Sequence, residues 1–193
     1  ARPIPSGQVS VTQALIWLAF LALLAFLILL TFRVGAIVLG VLALAPVAVY
    51  PYAKRFTWWP QVFLGLAFNW GALLAWTAHT GMLEWPAVVL YLAGIAWTLF
   101  YDTIYAHQDA EDDALLGVKS TARLFGARTP RWLRRFLVAT VMLMGLAVLS
   151  AGLGHASPLA VLVALAGPLV MGWHLHWQLT RFDPDDDRRL LSL

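Results

Sequence analysis

The sequence predicts an all-α, polytopic membrane protein, a bundle of six transmembrane helices. Three observations support that class. Of the 193 residues, 61% are hydrophobic and only 12% charged, whereas a soluble domain needs about 25% charged residues to cover its surface. Six runs are long enough to cross hydrocarbon, which takes about 20 apolar residues. The Lys and Arg residues then fall almost entirely on one side of those runs. Uninterrupted apolar runs satisfy their backbone in lipid as helices, because strands of a membrane barrel alternate apolar and polar positions.

The first run, residues 11–31, contains no charge. The second, residues 34–50, is shorter and is expected to kink at Pro46, which has no N–H to donate. The third, residues 60–79, is unusual in carrying Asn69 beside Gly65, Ala67 and Gly71. The fourth, residues 86–105, follows Glu84-Trp85, a helix start with an interfacial anchor, and turns polar in its last turn and a half. The fifth covers residues 131–151. The sixth, residues 158–180, is expected to be interrupted at Gly167-Pro168. The links are short except for residues 106–130. Beyond the last run, Asp183 reads as the N-cap of a short surface helix, with Pro184 in its first position and Asp185, Asp186 and Asp187 following.

With six spans, both ends of the chain and the second and fourth links share one side. That side holds every Lys and Arg except Arg33, and every acid except Glu84. The asymmetry obeys the positive-inside rule and makes this the cytoplasmic side. The net charge of +3 is thereby read as membrane orientation, and no nucleic-acid partner is expected. Cysteine is absent, which excludes disulfides, thiolate zinc sites and a cysteine nucleophile.

The chemistry-bearing stretch runs from Tyr101 and Asp102 through Tyr105, Asp109, Glu111, Asp112 and Asp113 to Gly117, Lys119 and Ser120. If the fourth helix continues to Asp113, then Asp102, Asp109 and Asp113 line one stripe with Tyr105 between them. Carboxylates gathered at a helix C-terminus repel one another and the helix dipole, so a cation is expected there. Hard oxygen donors suit Mg²⁺, often held by one or two carboxylates plus substrate phosphates. The bases that follow, Lys119, Arg123 and Arg128, can grip phosphate oxygens. Acids that begin inside a span mark function rather than a solvated loop. Asn69 has two readings, a hydrogen bond to a neighbouring helix or a wall of a substrate pocket. His174 and His176 are two apart, face different sides and read as packing or interfacial residues. His79 and His155 lie near the opposite surface with no chemical role.

These residues resemble a known family. Asp102-x-x-Tyr105-Ala106-x-x-Asp109-x-x-x-Asp113, with Gly117-x-Lys119-Ser120-Thr121-Ala122 after it, is similar to the second aspartate-rich motif of the UbiA-type membrane prenyltransferases. The branch that prenylates 4-hydroxybenzoate is the nearest. Arg2-Pro3-Ile4-Pro5-Ser6-Gly7 resembles the segment after that family's first aspartate-rich motif. Tyr50-Pro51-Tyr52-Ala53-Lys54-Arg55-Phe56-Thr57 and Pro60-Gln61-x-x-Leu64-Gly65 resemble its next cytoplasmic link. The family has nine transmembrane helices and two such motifs. The chain therefore reads as an internal fragment, its six spans matching the third through eighth helices, without the first motif.

The resemblance implies Mg²⁺-dependent transfer of a polyprenyl group from polyprenyl diphosphate to an aromatic acceptor, 4-hydroxybenzoate, in ubiquinone biosynthesis. It implies metal ligation by Asp109, Asp113 and Asp102. Lys119, Arg55 and Arg123 would bind diphosphate or the acceptor's carboxylate, and Tyr105 and Asn69 would line the pocket. The setting implied is a bacterial or mitochondrial inner membrane, with the isoprenoid tail lying towards lipid. Two other readings stay open: a family member prenylating another acceptor such as a tetrapyrrole, and a non-catalytic structural or assembly subunit of a larger membrane complex. A transporter fits less well, since its intramembrane polar groups belong near the midplane.

Overall fold

The computed structural model describes residues 3–183. Among them there is no strand, and six helical segments are long and apolar enough to cross a membrane. The stretch from Pro184 onwards, with Asp185, Asp186 and Asp187, lies outside the described residues, as do Arg2, Arg188 and Arg189.

Helix α1 (Val11–Leu29) starts on a capping box: Ser10 Oγ accepts from the Gln13 N–H at 3.2 Å, and Gln13 Oε1 accepts from the Ser10 N–H at 3.0 Å. It buries none of its residues. The second span is divided into α2 (Val34–Leu42) and α3 (Leu44–Val49). The break lies four residues before Pro46, where Leu42's carbonyl would have needed the proline's missing N–H. A tight turn at Tyr50–Tyr52 leads into the short α4 (Ala53–Phe56), which carries Lys54 and Arg55.

The third span also divides, into α5 (Pro60–Phe68) and α6 (Gly71–Thr80), a break the apolar pattern does not show. Asn69 is its cause. Its Nδ2 donates to the Gly65 carbonyl at 2.9 Å and to Thr98 Oγ1 of the next span at 2.8 Å. A side chain that competes for a helical carbonyl loosens the ladder where it does so.

The fourth span, α7 (Trp85–Gln108), is the axis of the molecule. Eleven of its residues are buried, and it packs against α5, α6 and the long α10 (Thr129–Gly152). Phe100, Ile104, Leu133 and Phe136 join Phe125 of α9 (Thr121–Phe125) and Leu175 of α11 (Pro158–Arg181) in the main core. Two expectations are corrected. The fourth helix does not run on to Asp113: α7 ends at Gln108, Asp109 leaves helical geometry, and α8 (Ala110–Leu115) starts afresh. Ending the helix at Asp109 shortens the dipole that the following acids oppose. Nor does Gly167-Pro168 interrupt the last span, because α11 runs through a buried Pro168. The clash that proline imposes on the residue before it is partly with that residue's Cβ, and Gly167 has none.

Gly94 of α7 shows how closely the spans fit. A Cβ there would collide with Asn69 Oδ1, while Thr98, one turn on, returns its hydroxyl to the Gly94 carbonyl at 3.0 Å. Gly94→Ala is expected to cost about 2 kcal/mol, the usual scale of an overpacked contact. Adding Asn69→Ala should restore most of that, since one interhelical hydrogen bond in a membrane contributes about 0.6 kcal/mol. Unfolding of the three variants in mixed detergent micelles checks this, and a double variant no better than Gly94→Ala would contradict it.

Candidate active site

The site lies where α7 leaves the apolar region and meets the link that carries α4. Asp102, in the last two turns of α7, is half-buried and lies within the electrostatic reach of Lys54 and Asp109, with the Gln61 side-chain amide against it. Gln61 is only 2% exposed, being in the first turn of α5 after Pro60. Asp109 is exposed at the α7–α8 break.

Asp113 is only 5% exposed. Lys54 Nζ donates to both its carboxylate oxygens, at 3.1 and 3.2 Å. This is the one ion pair among the described residues. The backbone repeats the connection: the Lys119 N–H donates to the Lys54 carbonyl at 3.0 Å, and Val118 N–H and an Arg123 guanidinium N–H donate to the Asp113 carbonyl at 3.0 and 3.2 Å. Arg123 also donates to the Val118 carbonyl. The acidic loop is thereby clasped to α4 rather than left in solvent.

The bases sort into two groups. Lys119 and Arg123 stand over the ring of Trp58, 5.9 and 5.5 Å from its centroid, and Lys119 Nζ donates to the Phe56 carbonyl at 3.3 Å. Arg55 is exposed and lies 5.7 Å from the Tyr52 ring.

Tyr101 and Tyr105, on either side of Asp102 in sequence, pack edge to face at 6.3 Å, and Tyr101 packs on Trp97 at 5.2 Å. These three rings, with Phe68 of α5 and Met171 and His174 of α11, line a cavity of about 390 Å³. A second cavity of about 350 Å³ shares Phe68, Trp97 and Met171 and reaches Asn69. Asn69 thus bridges to Thr98 of the next span and also lines this cavity. His174 lines the first cavity and stacks on Trp177 at 5.7 Å.

Among the described residues, no three His, Asp or Glu side chains gather into a metal-binding group. Asp102 and Asp109 are close enough to feel one another, while Asp113 is engaged by Lys54. Two hard carboxylates suit Mg²⁺, which commonly keeps waters and takes substrate phosphates as further ligands.

Several site residues escape sequence reasoning. Lys54 is visible as one of the inside cations and within the link that resembles the family's, but nothing local links it to an acid 59 positions later. Gln61 stands out only through that same resemblance, and Trp58 and Trp97 read as ordinary link or span residues. His107 Nδ1–H donates to the Thr103 carbonyl, 2.8 Å away, and its Nε2 lies 3.3 Å from Thr129 Oγ1. With the buried Thr103–Thr121 hydroxyl pair at 2.8 Å, it fastens the end of α7 to α9 and α10.

Fold and site together define an integral membrane helix bundle with an acid–base surface set beside an aromatic-walled cavity. The model of the UbiA prenyltransferase family matches residues 1–193, and the chain belongs to that family. It is 49% identical over 193 residues to the mitochondrial 4-hydroxybenzoate polyprenyltransferase of Arabidopsis thaliana, covering 99% of this chain and 46% of that one. The proteins of the same description from Mus musculus and Homo sapiens are 48% identical over 168 residues and 43% identical over 190. Those matches cover 86% and 96% of this chain, and 44% and 49% of theirs. The chain thus spans about half the length of the curated relatives it matches. No solved structure matches it.

Proposed function

We propose that this chain forms part of an enzyme that transfers a polyprenyl group from its diphosphate to an aromatic acceptor, 4-hydroxybenzoate, in ubiquinone biosynthesis. The observation that supports this best is the position of Asp102. It belongs to the charged surface shared with Lys54 and Asp109, and its neighbours in sequence, Tyr101 and Tyr105, form a wall of the 390 Å³ cavity. A charged leaving group and an apolar, aromatic chamber are what ionisation of an allylic diphosphate requires.

Asp109 and Asp102 would hold Mg²⁺, which when bound offsets the charge that develops on the departing diphosphate. Lys119 and Arg123 bind diphosphate oxygens, their guanidinium and ammonium groups pre-positioned by Trp58 and by the clasped loop. Asp113 keeps that loop in place through Lys54. The ring faces of Trp97, Tyr101 and Tyr105 stabilise the allylic cation and keep water from it. Asn69 and Phe68 border the space for the acceptor ring and the start of the isoprenoid chain. The setting that accords with the charge asymmetry is a bacterial or mitochondrial inner membrane, with the site on the cytoplasmic or matrix side.

The test is an assay of the full-length protein, in detergent and lipid, with a labelled polyprenyl diphosphate and 4-hydroxybenzoate. Prenylated product is expected with Mg²⁺ and none after chelation. A folded protein that forms no product at saturating Mg²⁺ would refute the assignment.

A further inference from the structure

From Ala114 to Phe182 the chain has no aspartate or glutamate, yet it carries Lys119, Arg123, Arg128, Arg131, Arg134, Arg135 and Arg181. Lys119 and Arg123 donate to backbone carbonyls and stand over Trp58. Arg128, Arg131, Arg134 and Arg135 make no side-chain hydrogen bond or ion pair among the described residues. All four are exposed, and the single ion pair among the described residues lies elsewhere. They occupy the turn before α10 and its first two turns, a stretch that contains no acid. The peptide dipoles of α10 add positive potential at this same end.

The surface beneath them is also particular. Arg131, Arg134 and Arg135 continue at three- and four-residue spacing into Val138, Met142 and Leu146, so all lie along one stripe of the helix. Those three apolar side chains are 52%, 68% and 46% exposed. The stripe is cationic at its loop end and bare hydrocarbon further along the span. Arg135 lies over Trp132 at 4.7 Å, and at the end of the adjoining α11 Arg181 lies over Trp177 at 4.4 Å. Paired arginine and tryptophan on two neighbouring helices mark the level where headgroups meet acyl chains.

We propose that this face of α10 is a docking site for an anionic phospholipid, with Arg131, Arg134 and Arg135 around the headgroup phosphate and an acyl chain along Val138, Met142 and Leu146. Charge complementarity selects an anion, and the apolar continuation selects one that carries hydrocarbon. A free phosphate would use the arginines and gain nothing from the stripe. The site is separate from the acid–base surface and does not depend on the proposed reaction.

The test is lipid retention by the purified protein in a neutral detergent, read by native mass spectrometry with added phosphatidylglycerol or phosphatidylcholine. Phosphatidylglycerol is expected to be retained in clear preference. The Arg131→Gln/Arg134→Gln/Arg135→Gln variant should lose that preference by about a hundredfold, at about fivefold per charge near an anionic surface. The corresponding Arg→Lys triple variant should keep most of it, which separates loss of charge from loss of fold. Single Arg→Gln variants, each down about fivefold, decide the matter if the triple variant does not fold. Equal retention of the two lipids, or an undiminished preference in folded Gln variants, overturns the proposal. Displacement of the lipid by excess inorganic phosphate overturns it in favour of a free-anion site. A preference that emerges only after Asp185→Asn/Asp186→Asn/Asp187→Asn overturns it in favour of the chain's own acidic segment as the occupant.

Discussion

Asp109→Ala in the full-length protein is expected to lower prenyl transfer by about a thousandfold while leaving the fold intact. The first half follows from its proposed place beside the departing diphosphate, where removing one preorganised charge partner costs about 3–4 kcal/mol in the barrier. The second half follows from the structure. Asp109 is exposed at a helix break and its carboxylate holds no other element in place. It also sits at the negative end of α7, an unfavourable position for a carboxylate, so alanine there relieves a small repulsion. Turnover measured against Mg²⁺ concentration, with a melting curve on the same sample, checks both halves. Undiminished turnover would remove Asp109 from the metal site.

Lys54→Met should have the opposite profile, a large loss of stability whatever happens to turnover. It strands the Asp113 carboxylate, 5% exposed, without its cation. Breaking a fully buried ion pair costs about 3–5 kcal/mol, and an exposed pair contributes at most about 1 kcal/mol. The Lys54 side chain is 43% exposed, which places the expected loss at about 2 kcal/mol. The double variant Lys54→Met/Asp113→Leu should recover most of this, because the stranded charge is gone. A double-mutant cycle on detergent unfolding measures the coupling. A coupling near zero would mean that the backbone hydrogen bonds alone hold the acidic loop to α4.

These two residues also show what the sequence discloses. The six spans, the side that bears the charges and the acidic motif are all legible, because each is written in consecutive residues and lipid leaves the backbone little choice. Asp102 and Asp109 stand out for the same reason: acids at the end of an apolar run have few explanations. The pairing of Lys54 with Asp113 is not legible. It depends on α4 and α8 meeting across two intervening spans, and neither residue has a local signal that selects the other. The breaks at Asn69 and Asp109 are hidden too, since helical spacing continues through them and only tertiary partners, Thr98 in the first case, make the departure favourable. Pro168 misleads in the other direction. Its effect on the chain depends on the residue before it, and glycine there lets the helix continue.

The hydrogen bond between Asn69 and Thr98 bears on how the protein enters its membrane. The segment from Pro60 to Thr80 cannot complete its contacts as it is made: its Asn69 amide has to find Thr98, which is synthesised 29 residues later. Biogenesis is therefore staggered, with the α5–α6 segment completed only when α7 arrives beside it.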